Sequence, residues 1–280
     1  MGIAEMTNWT KRIATACLGA IPLLALAVPA AAGVGDLLVA PTRIVLDGRK
    51  GAEVILNNIG DEPATYRISV EFRRMTVDGS LEDVTLPTAT DKAAADMIVY
   101  APRRVTLAPH EPQSIRIAAR PPAGVPDGEY RVHLLFRAIP PPTPVAAAST
   151  EPVRGVHFQL TPVYGVTIPV IVRLGNLNAT AGISDVKLAD KDGNHVVSLD
   201  LSRAGQRSTF GEVRISRSGV KEPLAIQRAV AVYTELGKRH VDIPVNAAFK
   251  SDLAGPVTVQ YVETFDDGTH VIAETPAVLR

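Results

Sequence analysis

Six histidines, at positions 110, 133, 157, 195, 240 and 270, are the residues of this 280-residue sequence best suited to metal or acid–base chemistry. None has the H-E-x-x-H spacing that brings two imidazoles to one helix face for a metal. His133 and His157 fall on alternating, strand-like runs and are read as a solvated pair rather than a ligand pair. The one cysteine, Cys17, lies in an apolar N-terminal run, so thiol catalysis and zinc–thiolate sites have nothing to build on. No G-x-S-x-G, P-loop or Rossmann glycine pattern occurs. The paired acids Asp61–Glu62 and Asp266–Asp267 fall at turns, where they favour turn geometry and solubility. The sequence therefore reads as a non-enzyme, with no catalytic set, no metal site and no cofactor implied.

The N-terminus reads as an export signal. Lys11 and Arg12 precede the apolar run 13–28, and Ala30 and Ala32 in "PAAAG" form an A-x-A cleavage pattern, so residues 1–32 are expected to be removed. A membrane anchor is the rival reading. Pro22 and Pro29 and an apolar core barely long enough to span count against it, so no stable membrane insertion is expected. Removing Lys11, Arg12 and Glu5 from the 29 basic and 29 acidic residues leaves 27 and 28, a net charge of −1. That balance argues against a nucleic-acid partner, which would need a basic face. An exported chain without cysteine has no disulfides, so packed cores must hold it together.

Short alternating runs separated by turn residues fill the rest. Strands are expected at 37–45, 52–58, 64–72, 97–105, 113–119, 128–137 and 156–173. Asp47–Gly48, Asp78–Gly79 and the "PPAGVPDG" segment (121–128) punctuate them. About seven strands at this spacing indicate an immunoglobulin-like sandwich. A loop of Pro, Ala and Ser (139–155) precedes the last of them. "LGNLNATAG" (174–182) reads as a hinge, and a second β-rich set follows at 183–188, 195–201, 211–216, 226–234, 240–248, 257–263 and 269–273. The expected fold class is all-β, with two immunoglobulin-like β-sandwich domains in a bent arrangement, residues 33–173 and 174–280.

The strand 156–173, "VHFQLTPVYGVTIPVIVR", is far longer than the usual ~5–6 residues. Its even positions, Val156, Phe158, Leu160, Pro162, Tyr164, Val166, Ile168, Val170 and Val172, are all apolar or proline and share one face. Residues 166–172 read as core. For 156–164 the alternatives are packing on the domain's own second sheet or donation to another protein's fold.

Specific blocks carry a resemblance. "VAPTRIVLDGRKGAEVILNN", "APRRVTLAPHEPQSIRI", "PAGVPDGEYRVHLLFRAIP" and a long strand ending in "IPVIVR", in this order, resemble the periplasmic chaperones of the chaperone–usher pilus pathway. Gly128 stands where that family usually has Arg, and His133 where it often has Trp. The likeness covers residues 37–173 well and the C-terminal part only by size and strand pattern. It implies a periplasmic chaperone that binds pilus subunits by donor-strand complementation and delivers them to an outer-membrane usher. Val156, Phe158, Leu160, Pro162 and Tyr164 would be the donor side chains. Arg43 would anchor the subunit's C-terminal carboxylate, and Arg173 would pair across the domain hinge. The family's second anchor, a Lys, falls at or near Pro169, and no Lys occurs between Val156 and Arg173. The resemblance leaves open which subunit is bound and whether the free chain caps itself as a dimer. The competing reading is a secreted structural or adhesive protein of tandem immunoglobulin-like domains.

Overall fold

The computed structural model describes residues 36–140, 163–249 and 253–280. The expected export signal (1–32), most of the Pro/Ala-rich segment and residues 156–162 of the long run lie outside the described residues.

The N-terminal half runs β1 (Leu37–Ala40), β2 (Ile44–Leu46), β3 (Ala52–Asn58), β4 (Ala64–Glu71), β5 (Arg73–Met75), β6 (Leu81–Asp83), α1 (Ala89–Met97), β7 (Ile98–Ala101), β8 (Arg104–Leu107), β9 (Pro112–Ala119), β10 (Gly128–Ile139) and β11 (Gly165–Leu174). Two sheets form, in the orders β1-β3-β9-β7 and β2-β11-β10-β4-β8. Alternation decides what lies between them. Val54 and Leu56 on β3, Ile115 and Ile117 on β9, Leu134 and Phe136 on β10 and Ile168 and Val170 on β11 form one buried core, while Ile55 stays half exposed. Burying each such side chain contributes roughly 1.5–3 kcal/mol.

Two expected strands are broken. The runs 37–45 and 97–105 each divide into a pair, β1/β2 and β7/β8, whose members lie in opposite sheets. Pro41 and Pro102 stand at the breaks, and proline has no N–H to continue a ladder. Two further elements were not expected. Helix α1 begins at a capping box in which Thr88 accepts from the Asp91 amide and Asp91 accepts from that of Thr88. It adds Ala94 and Met97 to the core. Strands β5 and β6 make a separate hairpin around the Asp78–Gly79 turn.

The C-terminal half runs β12 (Ala179–Lys191), β13 (Asn194–Gly205), β14 (Thr209–Ser216), β15 (Ala225–Val232), β16 (Lys238–Pro244), β17 (Gly255–Phe265) and β18 (Gly268–Leu279). Its sheets are β12-β13-β16 and β15-β14-β17-β18, packed over a second core that includes Val197, Leu199, Val213, Ile215, Val259 and Tyr261. The chain is thus all-β apart from α1, and built as two sandwiches. The hinge is shorter than expected, since β11 ends at Leu174 and β12 starts at Ala179. Gly175 turns there at φ +81°, and a Cβ would lie 2.1 Å from Asp127 Oδ2, so only glycine fits. A third, smaller cluster joins residues of both halves: Met75, Ile171, Ala231 and Tyr233, with Phe210 and Leu236 against them.

Candidate functional site

Strand β11 pairs with β10 along its whole length, but with β2 only at Val170–Val172. Among the described residues, Gly165 to Pro169 therefore have a sheet neighbour on one side only. The backbone orientation follows from one bond: Ala138 N–H donates to the Tyr164 carbonyl at 2.9 Å. Even-numbered residues of β11 consequently bond to β10, and odd-numbered ones turn their N–H and C=O to the other, open side. Pro169 is odd, so its missing N–H costs no bond to β10.

Side chains follow the same parity. Ile168, Val170 and Val172 are buried in the N-terminal core, Val166 is half-buried, and Tyr164 is 54% exposed. The apolar face of β11 thus runs out of its own core just before the strand begins. Of the expected donor residues only Tyr164 is described; Val156, Phe158, Leu160 and Pro162 lie outside the described residues.

Arg43 lies immediately before β2, and its guanidinium reaches the C-terminal half. Its Cζ sits 4.3 Å from the Phe210 ring centroid and 5.9 Å from that of Tyr233. Its Nη2 donates to Ser208 Oγ at 3.4 Å, and its Nη1 is buried without a hydrogen-bond partner. Burial, with a lesser contribution from Arg173, holds this guanidinium below the usual arginine pKa, against the opposing pull of Tyr233, Glu129 and Glu263.

Arg173 is more fully engaged. Its Nε donates to Glu129 at 3.0 Å, and its Nη2 donates to the Ser208 carbonyl at 3.1 Å and to Ser208 Oγ at 3.4 Å. The Glu129 side chain is fully buried, and its Oε2 also accepts from the Ser208 amide and hydroxyl, each at 3.0 Å. Beside them, Arg207 donates to both oxygens of Glu263 at 3.0 Å. Arg43 and Arg173 therefore meet at Ser208, a residue the sequence did not single out.

A second bridge lies further along the junction. Arg131 packs 3.7 Å over the Tyr233 ring and donates to Glu235 at 2.5 and 3.0 Å, and Glu235 also accepts from the Met75 amide at 2.9 Å.

Pro169, where the expected second anchor falls, stands opposite His133 on β10. His133 is not solvated, which corrects the sequence reading: it is 1% exposed, and neither ring nitrogen has a partner. Burial first, then the charges of Arg131 and Arg73, depress its pKa to about 3, with Glu235 opposing. At neutral pH His133 is uncharged and cannot substitute for a lysine. Its supposed companion His157 lies outside the described residues. No group of three or more metal-ligating side chains occurs among the described residues, and no helix among them is long and apolar enough to cross a membrane.

No family model and no curated protein sequence matches this chain. Solved structures do. The E. coli chaperone DraB is 16% identical, matching 88% of this chain and 99% of its own, with a TM-score of 0.45. The Pseudomonas aeruginosa CupB2 chaperone is 13% identical over 87% of this chain and 100% of its own, with a TM-score of 0.45. For the class 5 fimbriae chaperone CfaA the values are 11%, 87%, 99% and 0.42. Over most of its length, then, this chain is similar to solved chaperones.

Proposed function

We propose that this chain is a periplasmic chaperone of pilus assembly, which binds pilin-like subunits by lending them a β-strand and delivers them to an outer-membrane usher. One observation carries the reading. Among the described residues, β11 has an open edge from Gly165 to Pro169, and its apolar face continues at Tyr164 beyond the domain's own core. An open edge of this kind accepts a strand from another chain, the mode of β-strand addition known for chaperone–pilin pairs. The subunit's backbone pairs with the odd-numbered N–H and C=O groups. Val156, Phe158, Leu160, Pro162 and Tyr164 fill the subunit's open groove, each contributing roughly 1.5–3 kcal/mol if fully buried. Arg43 takes the subunit's C-terminal carboxylate through a charge-assisted hydrogen bond, which sets the register of the paired strands. The sequence blocks described above support the same reading, and no cofactor is needed for it.

The test is co-expression of the tagged chain with a candidate single-domain subunit of roughly 100–150 residues. A one-to-one complex is expected, and Leu160→Glu abolishes it while leaving the thermal transition in place. A Leu160→Glu protein that unfolds assigns Leu160 to this chain's own core and overturns the donor role.

A further inference from the structure

This inference rests on the reading of Arg43 as the carboxylate anchor. Arg43 belongs to the N-terminal half, yet the groups that fix its guanidinium come from the C-terminal half. The guanidinium lies over the ring of Phe210, on β14, with Cζ 4.3 Å from the ring centroid, and an aromatic face attracts a cation. Ser208, just before β14, takes one edge through Oγ. Both supports are themselves held. Ser208 is fully buried and bonded to Glu129 by its amide and its hydroxyl, and Phe210 packs with Met75, Ile171 and Tyr233. The neighbouring cations Arg173 and Arg207 are matched by Glu129 and Glu263, whereas Arg43 has no carboxylate partner among the described residues. What remains is Nη1, buried and unpaired, on a guanidinium held over Phe210 and bonded through Nη2 to Ser208.

We propose that Phe210 is a positioning residue, which aims Arg43 Nη1 at the ligand's carboxylate. Discrimination between a free α-carboxylate and an uncharged chain end is then set by an aromatic side chain of the C-terminal sandwich, acting on an arginine of the N-terminal one. A carboxylate offers a charged acceptor to Nη1, whereas an amide offers a neutral one and brings N–H donors of its own. Without the ring the guanidinium is free to swing about its long stem, and Nη1 loses its fixed direction.

The experiment measures binding of a fluorescein-labelled extended peptide, with alternating valine and threonine and a free carboxylate, against its C-amidated twin. It uses anisotropy and the full chain. The wild type prefers the free acid, Arg43→Ala loses that preference, Phe210→Leu reduces it about tenfold, and Phe210→Tyr retains it. A Phe210→Leu protein with the wild-type preference overturns the positioning role. So does equal loss in Phe210→Leu and Phe210→Tyr together with a lowered thermal transition, because the ring then serves packing alone. Equal binding of both peptides by the wild type, or no binding of either, removes the Arg43 reading itself and this inference with it.

Discussion

Arg131 and Glu235 form an ion pair across the junction, with Nη2 2.5 Å from Oε1 and side chains only 6% and 19% exposed. Arg131 comes from β10 and Glu235 from the turn between β15 and β16, so the pair ties the two sandwiches together. Removing one member of a buried pair strands the other charge and costs about 3–5 kcal/mol, whereas apolar replacement of both is often neutral. Glu235→Ala is therefore expected to lower stability by about 3 kcal/mol in urea unfolding, with Arg131→Met/Glu235→Leu recovering most of the loss. A double variant as unstable as the single one overturns this account of the junction.

The buried imidazole of His133 fixes an acid sensitivity and its window. An unfolded histidine titrates near 6.5, and the folded one near 3, so between these values the unfolded state holds the additional proton. Stability is full above about pH 6.5 and falls steadily toward pH 3, by about 5 kcal/mol at the acid limit. Glu235 adds to the loss at lower pH. Burial pushes its carboxyl up, but the Arg131 bonds and charge and the Met75 amide outweigh that, and its pKa lies below the usual 4.5. His133→Phe is therefore expected to flatten the stability profile between about pH 5 and 6.5 while keeping the steeper acid fall. Urea midpoints at about pH 5 and 7 measure it; an unchanged slope in the variant excludes His133 as the source.

Arg43 is expected to separate binding from stability. Its guanidinium is desolvated and has no carboxylate partner, so Arg43→Ala forfeits the contact with Phe210 but also relieves the cost of burying a charge. The two effects oppose each other, and the thermal midpoint should move by the equivalent of only about 1 kcal/mol. Subunit affinity falls much further if Arg43 holds the carboxylate. An affinity that survives Arg43→Ala sinks that role.

How legible this was in the sequence depended on which force shaped each element. β3, β9, β10 and β11 were readable because each buries one face, and Val54/Leu56 or Ile168/Val170 repeat at period two. Helix α1 escaped notice because "ATDKAAADM" is too short and alanine-rich to show an apolar stripe, although Thr88 and Asp91 already spelled its cap. Pro41 and Pro102 mark the breaks, but strand-like residues continue on both sides of each, so either run reads as one strand. His133 was misread because the outer face of a strand is solvated only where nothing packs on it, which periodicity does not reveal. Arg43 was found only through resemblance. Ser208, 165 residues away, and Phe210 beside it carry no local signal, since a junction between two sandwiches is a purely tertiary product.

The parity of β11 yields the sharpest test of the open edge. Val166 stands opposite Phe136 and, being even-numbered, directs its N–H at β10; Thr167 directs its own away. Val166→Pro removes a ladder donor and leaves a carbonyl of β10 unpaired, which costs about 1–3 kcal/mol. Thr167→Pro removes an outward N–H and the long 3.5 Å bond from Thr167 Oγ1 to Glu71, at a place where Pro169 already shows that proline is tolerated, and should change stability by about 1 kcal/mol at most. The two variants should rank oppositely in binding per unit of stability lost. Thr167→Pro folds nearly as the wild type yet weakens the subunit complex, because it deletes a donor from the strand that the subunit pairs with. Equal destabilisation by both variants contradicts the backbone orientation. Full subunit affinity in Thr167→Pro contradicts the use of this edge, whatever its orientation.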